Sequence, residues 1–376
     1  MKNRFTRAEG KEVFEGNELI VKGALEAGVS LFTGYPGSPV ASVFTVLEQI
    51  GDLLKEYGIK GIIANNENQA ASLLHGAMSV PGVRAMAVFK SVGAYVALDG
   101  MAIVNYTVPE TGSAALCVAG DDPALSSTQV GADSRYTFFS AKIPVFEPAT
   151  NQEIKDWIKL ALDVAARSQL LSGMIITTNQ ADGGGTVVVQ PNVKPVVSMH
   201  HRVMVDTSNI RVRQRVAVPP NSGELERDII ERRMPRFLEI IRESGLNRVE
   251  PGPDRRIGFI TSGNTYNYLR HALHELGADC EFPVLKLGVT YPVDPEIVLA
   301  FAAEAEELFV VEEKRGFIES QVTEILRDAR QSGRMDFSNV WGKRFPGDLP
   351  GIPEAGGLDP GILIKRIGNM LLARLA

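Results

Sequence analysis

The sequence predicts an α/β protein, with a doubly wound, mostly parallel sheet followed by a second, smaller α/β domain. Three observations point there. Short apolar runs alternate with amphipathic stretches through the first half of the chain. Two of these runs stop on polar turns that then open helices, which is how an α/β sheet builds a binding crevice. After an irregular stretch, the same alternation resumes near residue 256.

The apolar runs are Val29–Thr33, Gly61–Ala64, Ala85–Phe89, Ala115–Ala119 and Met174–Thr178. Runs this short suit strands buried on both faces, and hence a parallel sheet flanked by helices. Helices are expected near 17–27, 39–50, 68–79, 93–104 and 151–168. Within 68–79, Ala70, Leu73, Leu74, Ala77 and Met78 share one face at helical spacing. From about 186 to 223 the pattern degrades. Thr186–Gln190 reads as one more strand, and the alternating Arg211-Val212-Arg213-Gln214-Arg215 as part of a linker with edge strands. A charged helix, Glu224 to Ser244, follows. The second unit starts at Arg256, with strands Ile257–Thr261, Glu281–Lys286 and Leu308–Val311 and a helix Tyr266–Leu276 after the turn Ser262-Gly263-Asn264. An amphipathic helix, Pro360 to Leu375, closes the chain. The expected division is therefore 1–190, a linker over 191–250, and 251–376.

Composition narrows the function. The 376 residues suffice for large buried cores, and 44% hydrophobic with 22% charged residues is ordinary for a soluble globular protein. A net charge of −6 argues against nucleic acid or an anionic membrane as the main partner. The two cysteines, Cys117 and Cys280, lie far apart, so this chain cannot supply an iron–sulfur cluster or a structural zinc site; no metal ligands are assigned. They fit a reduced, cytoplasmic setting. The N-terminal segment lacks the apolar core of a signal peptide, and no run approaches the ~20 residues needed to span a bilayer. No GxGxxG follows the first strand, which disfavours an ordinary dinucleotide-binding protein.

Four turns hold the candidate chemistry. Glu67, in Asn65-Asn66-Glu67-Asn68-Gln69, is either a buried acid or a first-turn carboxylate that complements the helix dipole behind an Asn cap. In Tyr35-Pro36-Gly37-Ser38-Pro39, Gly37 lets a ligand approach the backbone and Ser38 offers a hydroxyl; the alternative makes Ser38 an N-cap. In Phe89-Lys90-Ser91-Val92-Gly93, Lys90 can balance an anion or simply be solvated. The fourth turn runs from Gly120-Asp121-Asp122-Pro123 to Asp133-Ser134-Arg135. There Arg135 is a clamp for an oxyanion or an ion-pair partner of Asp133 or Asp121. His75 reads as packing or surface, and His200-His201 has no further ligand-type residues nearby. The Arg211–Arg215 run reads as a solvated strand edge or a subunit contact.

In order and spacing, these turns resemble the pyrimidine-binding domain of the thiamine-diphosphate-dependent 2-oxoacid:ferredoxin oxidoreductases, above all the α subunit of the indolepyruvate-type enzymes. The resemblance covers roughly 14–185 and continues over 255–345, where the second unit is similar to a transketolase C-terminal domain. It implies that Glu67 is the carboxyl group set against N1′ of the aminopyrimidine, where it helps the cofactor lose its C2 proton. It also implies cofactor contacts from Tyr35, Pro36, Gly37, Ser91, Val92 and Gly93, and substrate or coenzyme A contacts from Ser38, Lys90 and Arg135. Two departures stand out. Ser91 and Leu125 occupy places where relatives usually carry histidine, which leaves the 2-oxoacid open among aromatic, branched and small side chains.

Single-chain relatives continue into a diphosphate-binding domain with a Gly-Asp-Gly segment and a downstream asparagine, and no such segment occurs here. The resemblance therefore implies one subunit of a split enzyme that shares thiamine diphosphate with a partner. That partner would supply Mg²⁺ and the iron–sulfur clusters, and a γ-type subunit is a further candidate. The implied reaction takes a 2-oxoacid, indolepyruvate among the candidates, and coenzyme A to acyl-CoA, CO₂ and reduced ferredoxin. Two competing readings are a subunit of a non-redox thiamine decarboxylase or lyase, and a catalytically silent scaffold subunit.

Overall fold

A computed structural model describes residues 2–201, 211–337 and 339–375. By its internal contacts the chain forms two units: residues 1–122 with 126–243, and residues 123–125 with 244–376. In the first unit the strands are Lys11–Glu15 (β1), Leu31–Gly34 (β2), Lys60–Ile63 (β3), Arg84–Lys90 (β4), Ala114–Asp121 (β5), Val145–Phe146 (β6), Ser172–Thr177 (β7) and Gly184–Val188 (β8). The helices are Lys2–Phe5 (α1), Gly16–Glu26 (α2), Ser42–Gln49 (α3), Gly51–Tyr57 (α4), Glu67–Met78 (α5), Ser91–Tyr106 (α6), Ser134–Ser140 (α7), Asn151–Ser168 (α8) and Thr178–Ala181 (α9).

The five apolar runs are the strands β2, β3, β4, β5 and β7, and all of them pair in parallel. Adjacent strands lie in the order β6-β7-β5-β4-β2-β3. Every residue of β5 is buried, as expected for a central strand covered on both faces. β3 sits at an edge and is largely exposed. Helices lie in the connections between the parallel strands, as crossovers between parallel neighbours require. The stretch expected as one helix over 39–50 is α3, and a second helix, α4, follows it directly.

Strand β1 was not visible in the sequence, because Lys11-Glu12-Val13-Phe14-Glu15 is charged and shows little of itself to the core. It pairs antiparallel with β8, which begins at Gly184, two residues ahead of the expected strand.

The linker expectation needs correcting. Of its alternating basic run, Val212–Arg215 forms a helical turn (α10) rather than an edge strand. Arg211 and Arg215 both reach Glu110: four residues are about 6 Å apart along a helical turn but about 13 Å apart along a strand, too far for one carboxylate to meet both easily. Part of the proposed linker, 202–210, lies outside the described residues. The charged helix is three joined pieces: Asn221–Asp228 (α11), a π-helical turn Ile229–Arg233, and Met234–Ser244 (α12). The extra residue of the π turn accompanies a fully buried Arg233, whose guanidinium donates to the carbonyls of Asn105, Tyr106 and Gln169. These carbonyls lie at the ends of α6 and α8, where acceptors are left without helical partners.

The second unit has strands Arg248–Glu250 (β9), Ile257–Ser262 (β10), Val284–Leu287 (β11), Val289–Tyr291 (β12), Glu307–Val311 (β13) and Val340–Trp341 (β14). Its sheet runs β14-β13-β10-β11-β9, with β9 antiparallel. Gly263–Glu275 (α13) and Pro360–Leu375 (α16) cover one face through Leu269, Leu273, Leu363 and Ile367. Pro295–Ala302 (α14) and Phe317–Gln331 (α15) complete the unit; neither was anticipated.

Candidate active site

Growth of the first unit's sheet reverses at β2. The chain steps outward from β2 to β3, returns past β2 to β4, and continues to β5. All four strands are parallel, so their following turns leave the same edge, and a crevice opens where the order reverses.

Gly34 ends β2 with φ +150°, and a Cβ there would collide with the Val88 carbonyl and lie 2.6 Å from Phe44 Cζ. Only glycine lets the chain turn so close to β4. Tyr35, Pro36 and Ser38 are then exposed. Gly37 rests on the aliphatic part of Lys90, where a Cβ would come within 2.8 Å of Cδ. The β2 and β4 turns therefore touch. Ser38 is not a helix cap, since α3 begins at Ser42 behind Ala41; its hydroxyl stays in the exposed loop.

Glu67 is the first residue of α5. Asn66 caps this helix by accepting from the Gln69 amide at 2.9 Å. A first-turn carboxylate in a capped helix is ordinary, but its surroundings here are not. Glu67 is only 7% exposed, and its side chain lies across the first turn of α6. A Cβ at Gly93 would lie 2.7 Å from Glu67 Cγ and closer still to Oε1. No hydrogen bond or ion pair from the described residues reaches the carboxylate.

The β4 turn is similarly underused. Lys90 is half-buried and has no ion-pair or hydrogen-bond partner among the described residues. Ser91 is fully buried and its Oγ has no hydrogen-bond partner among the described residues. Val92 is half-buried and Gly93 buried. On β2, the hydroxyl of Thr33 is also buried without a partner. Thr33 was missed in the sequence; the available signal is a polar residue inside an otherwise apolar strand.

The β5 turn is built differently. Asp121 accepts from the amide of Ser134 at 2.9 Å and from its hydroxyl. Burial pushes the Asp121 carboxyl up to about 7, while the bonds from Ser134 pull the other way. Asp122 is also buried, which opposes its charge, but the amides of Ser127 and Thr128 and the hydroxyl of Ser126 hold it far below the usual carboxylate range. Arg135, the proposed oxyanion clamp, is 4% exposed and forks onto Asp133 through Nε and Nη2, each at 2.8 Å. Of its two readings, the ion pair with Asp133 is the one present in this structure.

The remaining candidates lie elsewhere. His75 is half-buried late in α5, and burial followed by the charge of Arg215 lowers its pKa. His201 pairs locally with Ser198, and His200 lies 3.3 Å from the Glu56 carbonyl. Among the described residues no group of three or more His, Cys, Asp or Glu is placed to hold a metal ion. A groove of about 420 Å³ runs outside the first turns of α5, lined by Ile63, Asn65, Gln69 and Leu73 among others. Glu67 does not line it, because its side chain turns inward to Gly93.

Comparison with known proteins adds family context. Residues 247–375 match the indolepyruvate oxidoreductase domain. The chain is 32% identical over 309 residues to the indolepyruvate oxidoreductase subunit IorA of Methanothermobacter marburgensis, covering 82% of this chain and 47% of that protein. It thus spans about half the length of the curated relatives it matches. Among solved structures, the 2-oxoglutarate:ferredoxin oxidoreductase of Magnetococcus marinus, with 2-oxoglutarate, coenzyme A and succinyl-CoA bound, shares the fold. The TM-score is 0.67 at 13% identity, over 96% of this chain and 65% of that one. A split-gene transketolase, in an inactive β4 tetramer, aligns with a TM-score of 0.55 at 14% identity, over 96% and 97% of the two chains.

Proposed function

This chain belongs to the indolepyruvate oxidoreductase subunit IorA family, the α-type subunits of the 2-oxoacid:ferredoxin oxidoreductases, and on that premise we propose that it supplies the pyrimidine-binding part of a thiamine-diphosphate-dependent 2-oxoacid oxidoreductase. The reaction takes a 2-oxoacid and coenzyme A to acyl-CoA and CO₂, with two electrons passing to ferredoxin. A partner subunit carries the diphosphate and Mg²⁺ site and the iron–sulfur clusters. The complex works in the cytoplasm; among the described residues no helix is long and apolar enough to cross a membrane.

One observation carries this reading. Glu67 is a buried carboxylate with no partner among the described residues, set on Gly93 beside the point where the strand order reverses. A buried charge without a partner is costly, and such a group persists where a ligand completes it. The residues fit the pyrimidine end of thiamine diphosphate. Glu67 offers the carboxyl for N1′, the hydroxyls of Ser91 and Thr33, buried without a partner among the described residues, offer polar contacts, and Gly93 and Gly37 leave room for the side chains of Glu67 and Lys90. When bound, thiamine diphosphate supplies the stabilised carbanion that decarboxylation requires. Glu67 holds a proton at N1′, and Lys90, with no ion pair among the described residues, balances the carboxylate of the incoming 2-oxoacid. Ser38, in the exposed β2 turn, donates to the same acid. Arg135 enters this scheme by holding the β5 turn through Asp133.

The test is to co-purify the native complex and assay a panel of 2-oxoacids, indolepyruvate included, with coenzyme A and ferredoxin or a viologen. Glu67→Gln should lower turnover by at least about 10²-fold, the scale of a lost acid–base group, without disturbing assembly. Unchanged turnover would instead make this chain a silent scaffold. Product formation independent of coenzyme A and of an electron acceptor would make the complex a non-redox thiamine enzyme.

A further inference from the structure

Among the described residues nothing hydrogen-bonds the Glu67 carboxylate, so its position is set by the backbone of α5 and by what fixes that backbone to α6. One contact stands out. In the middle of α6 the amide of Gly100 donates to the side-chain Oδ1 of Asn68 at 2.9 Å, across the gap between the two helices. Side chains seldom reach a mid-helix amide, since a Cβ and the helix's own bonds normally cover it. Here the helix is bare. A Cβ at Gly100 would lie 2.8 Å from both Ala71 Cβ and Asn68 Oδ1.

Gly93, under Glu67, lies seven residues earlier on α6 and hence on the same face two turns away. Ala97, fully buried, falls between them. The small residues 93, 97 and 100 make a shallow trough along α6 into which the first turns of α5 settle. Apolar contacts in such a trough allow sliding along the helix. A hydrogen bond to one backbone amide allows a single register.

We infer that Asn68 is a positioning residue for Glu67, its amide oxygen fixing the register of α5 on α6 so that the neighbouring carboxylate comes to rest on Gly93. This rests on the reading of Glu67 as the acid that serves the cofactor. Asn66 holds the same turn from the other side through the Gln69 amide. Misplacing a reacting group by about 1 Å can cost roughly 10²-fold in rate, so a lost register affects turnover well before it affects folding.

The experiment uses the co-purified complex with four forms of this chain: wild type, Asn68→Leu, Glu67→Gln and the double variant. Leucine keeps the branched outline of asparagine, with bulkier methyl groups, and removes the acceptor. Asn68→Leu should lower kcat by about 10-fold or more, leave KM for the 2-oxoacid within about twofold, and add no further loss in the Glu67→Gln background. A full additional loss in that background means Asn68 acts independently of Glu67 and overturns the inference. Unchanged kcat for Asn68→Leu beside a disabled Glu67→Gln also overturns it, while leaving the reading of Glu67 intact. Unchanged turnover for Glu67→Gln removes the reading and the inference together. Should Asn68→Leu fail to assemble, Asn68→Ala makes the same comparison with a smaller side chain.

Discussion

The turn after β4 and the turn after β5 leave the sheet side by side, with Lys90 in register opposite Gly120, yet they treat their polar groups in opposite ways. Around β4 the groups are left open. Among the described residues Lys90 has no partner, the buried Ser91 hydroxyl has none, and nothing hydrogen-bonds the Glu67 carboxylate resting on the same helix. Around β5 each carboxylate is supplied. Asp121 receives Ser134, Asp122 receives Ser126, Ser127 and Thr128, and Asp133 receives Arg135. A group already bonded must break those bonds to serve a ligand, whereas an open one gains by doing so. On the proposed function, the β5 turn is the wall of the crevice and the β4 turn its working surface, although both read as equally polar in the sequence.

The strongest way to break this contrast is at Arg135. Removing one partner of a buried ion pair strands the other charge, which typically costs about 3–5 kcal/mol. Arg135→Ala should destabilise the chain by that amount in denaturant unfolding. A cost below about 1 kcal/mol would mean that the pair is not structural, and Arg135 would return as a candidate oxyanion clamp.

The two neighbouring aspartates sharpen the contrast through pH. Asp121, raised to about 7 from an ordinary 3.8, favours the folded state while protonated. Its contribution is complete below about pH 4 and lost as pH rises through about 7. Asp121→Asn cannot ionise, so its stability relative to wild type should rise between those two values and stay level above them. Asp122 is depressed, so its contribution is present above the unfolded value and lost as pH falls towards its folded value. Replacing its charged acceptor by a neutral one, Asp122→Asn, should cost roughly 1–2 kcal/mol at pH 7 and progressively less in acid. Unfolding curves for the three proteins from pH 3 to about pH 8 decide it, and parallel curves would show that neither carboxyl is perturbed as the geometry implies.

Much of the sheet was legible because a strand buried on both faces must be a continuous apolar run, as in Ala115–Ala119. Where burial is one-sided or tertiary contacts decide, the signal fails. β1 is an edge strand of charged residues, and Val212–Arg215 coils because Glu110 draws both arginines. The site divides the same way. Polar stops behind apolar runs exposed Glu67, Lys90 and Ser91 as turn residues, but whether a polar group finds a partner depends on elements distant in sequence. Sequence left Arg135 open between clamp and ion pair, and in the structure it is paired with Asp133. Nothing in the local pattern marked Asn68, since its acceptor role needs Gly100 thirty-two residues away.

The smallest expected effect isolates the contrast most cleanly. Ser91 and Ser134 are both fully buried, and each is the first residue of a helix that follows this edge of the sheet, α6 and α7 respectively. They differ in what the hydroxyl meets: nothing for Ser91, and Asp121 for Ser134. A buried hydroxyl without a partner is unfavourable, so Ser91→Ala should stabilise the chain by roughly 1 kcal/mol. A hydroxyl bonded to a carboxylate stabilises it, so Ser134→Ala should cost about 1–2 kcal/mol. The same substitution at the same helical position thus carries opposite signs two turns apart on one edge. Equal losses at both positions would show that the Ser91 hydroxyl already serves the fold and is not held open for a ligand.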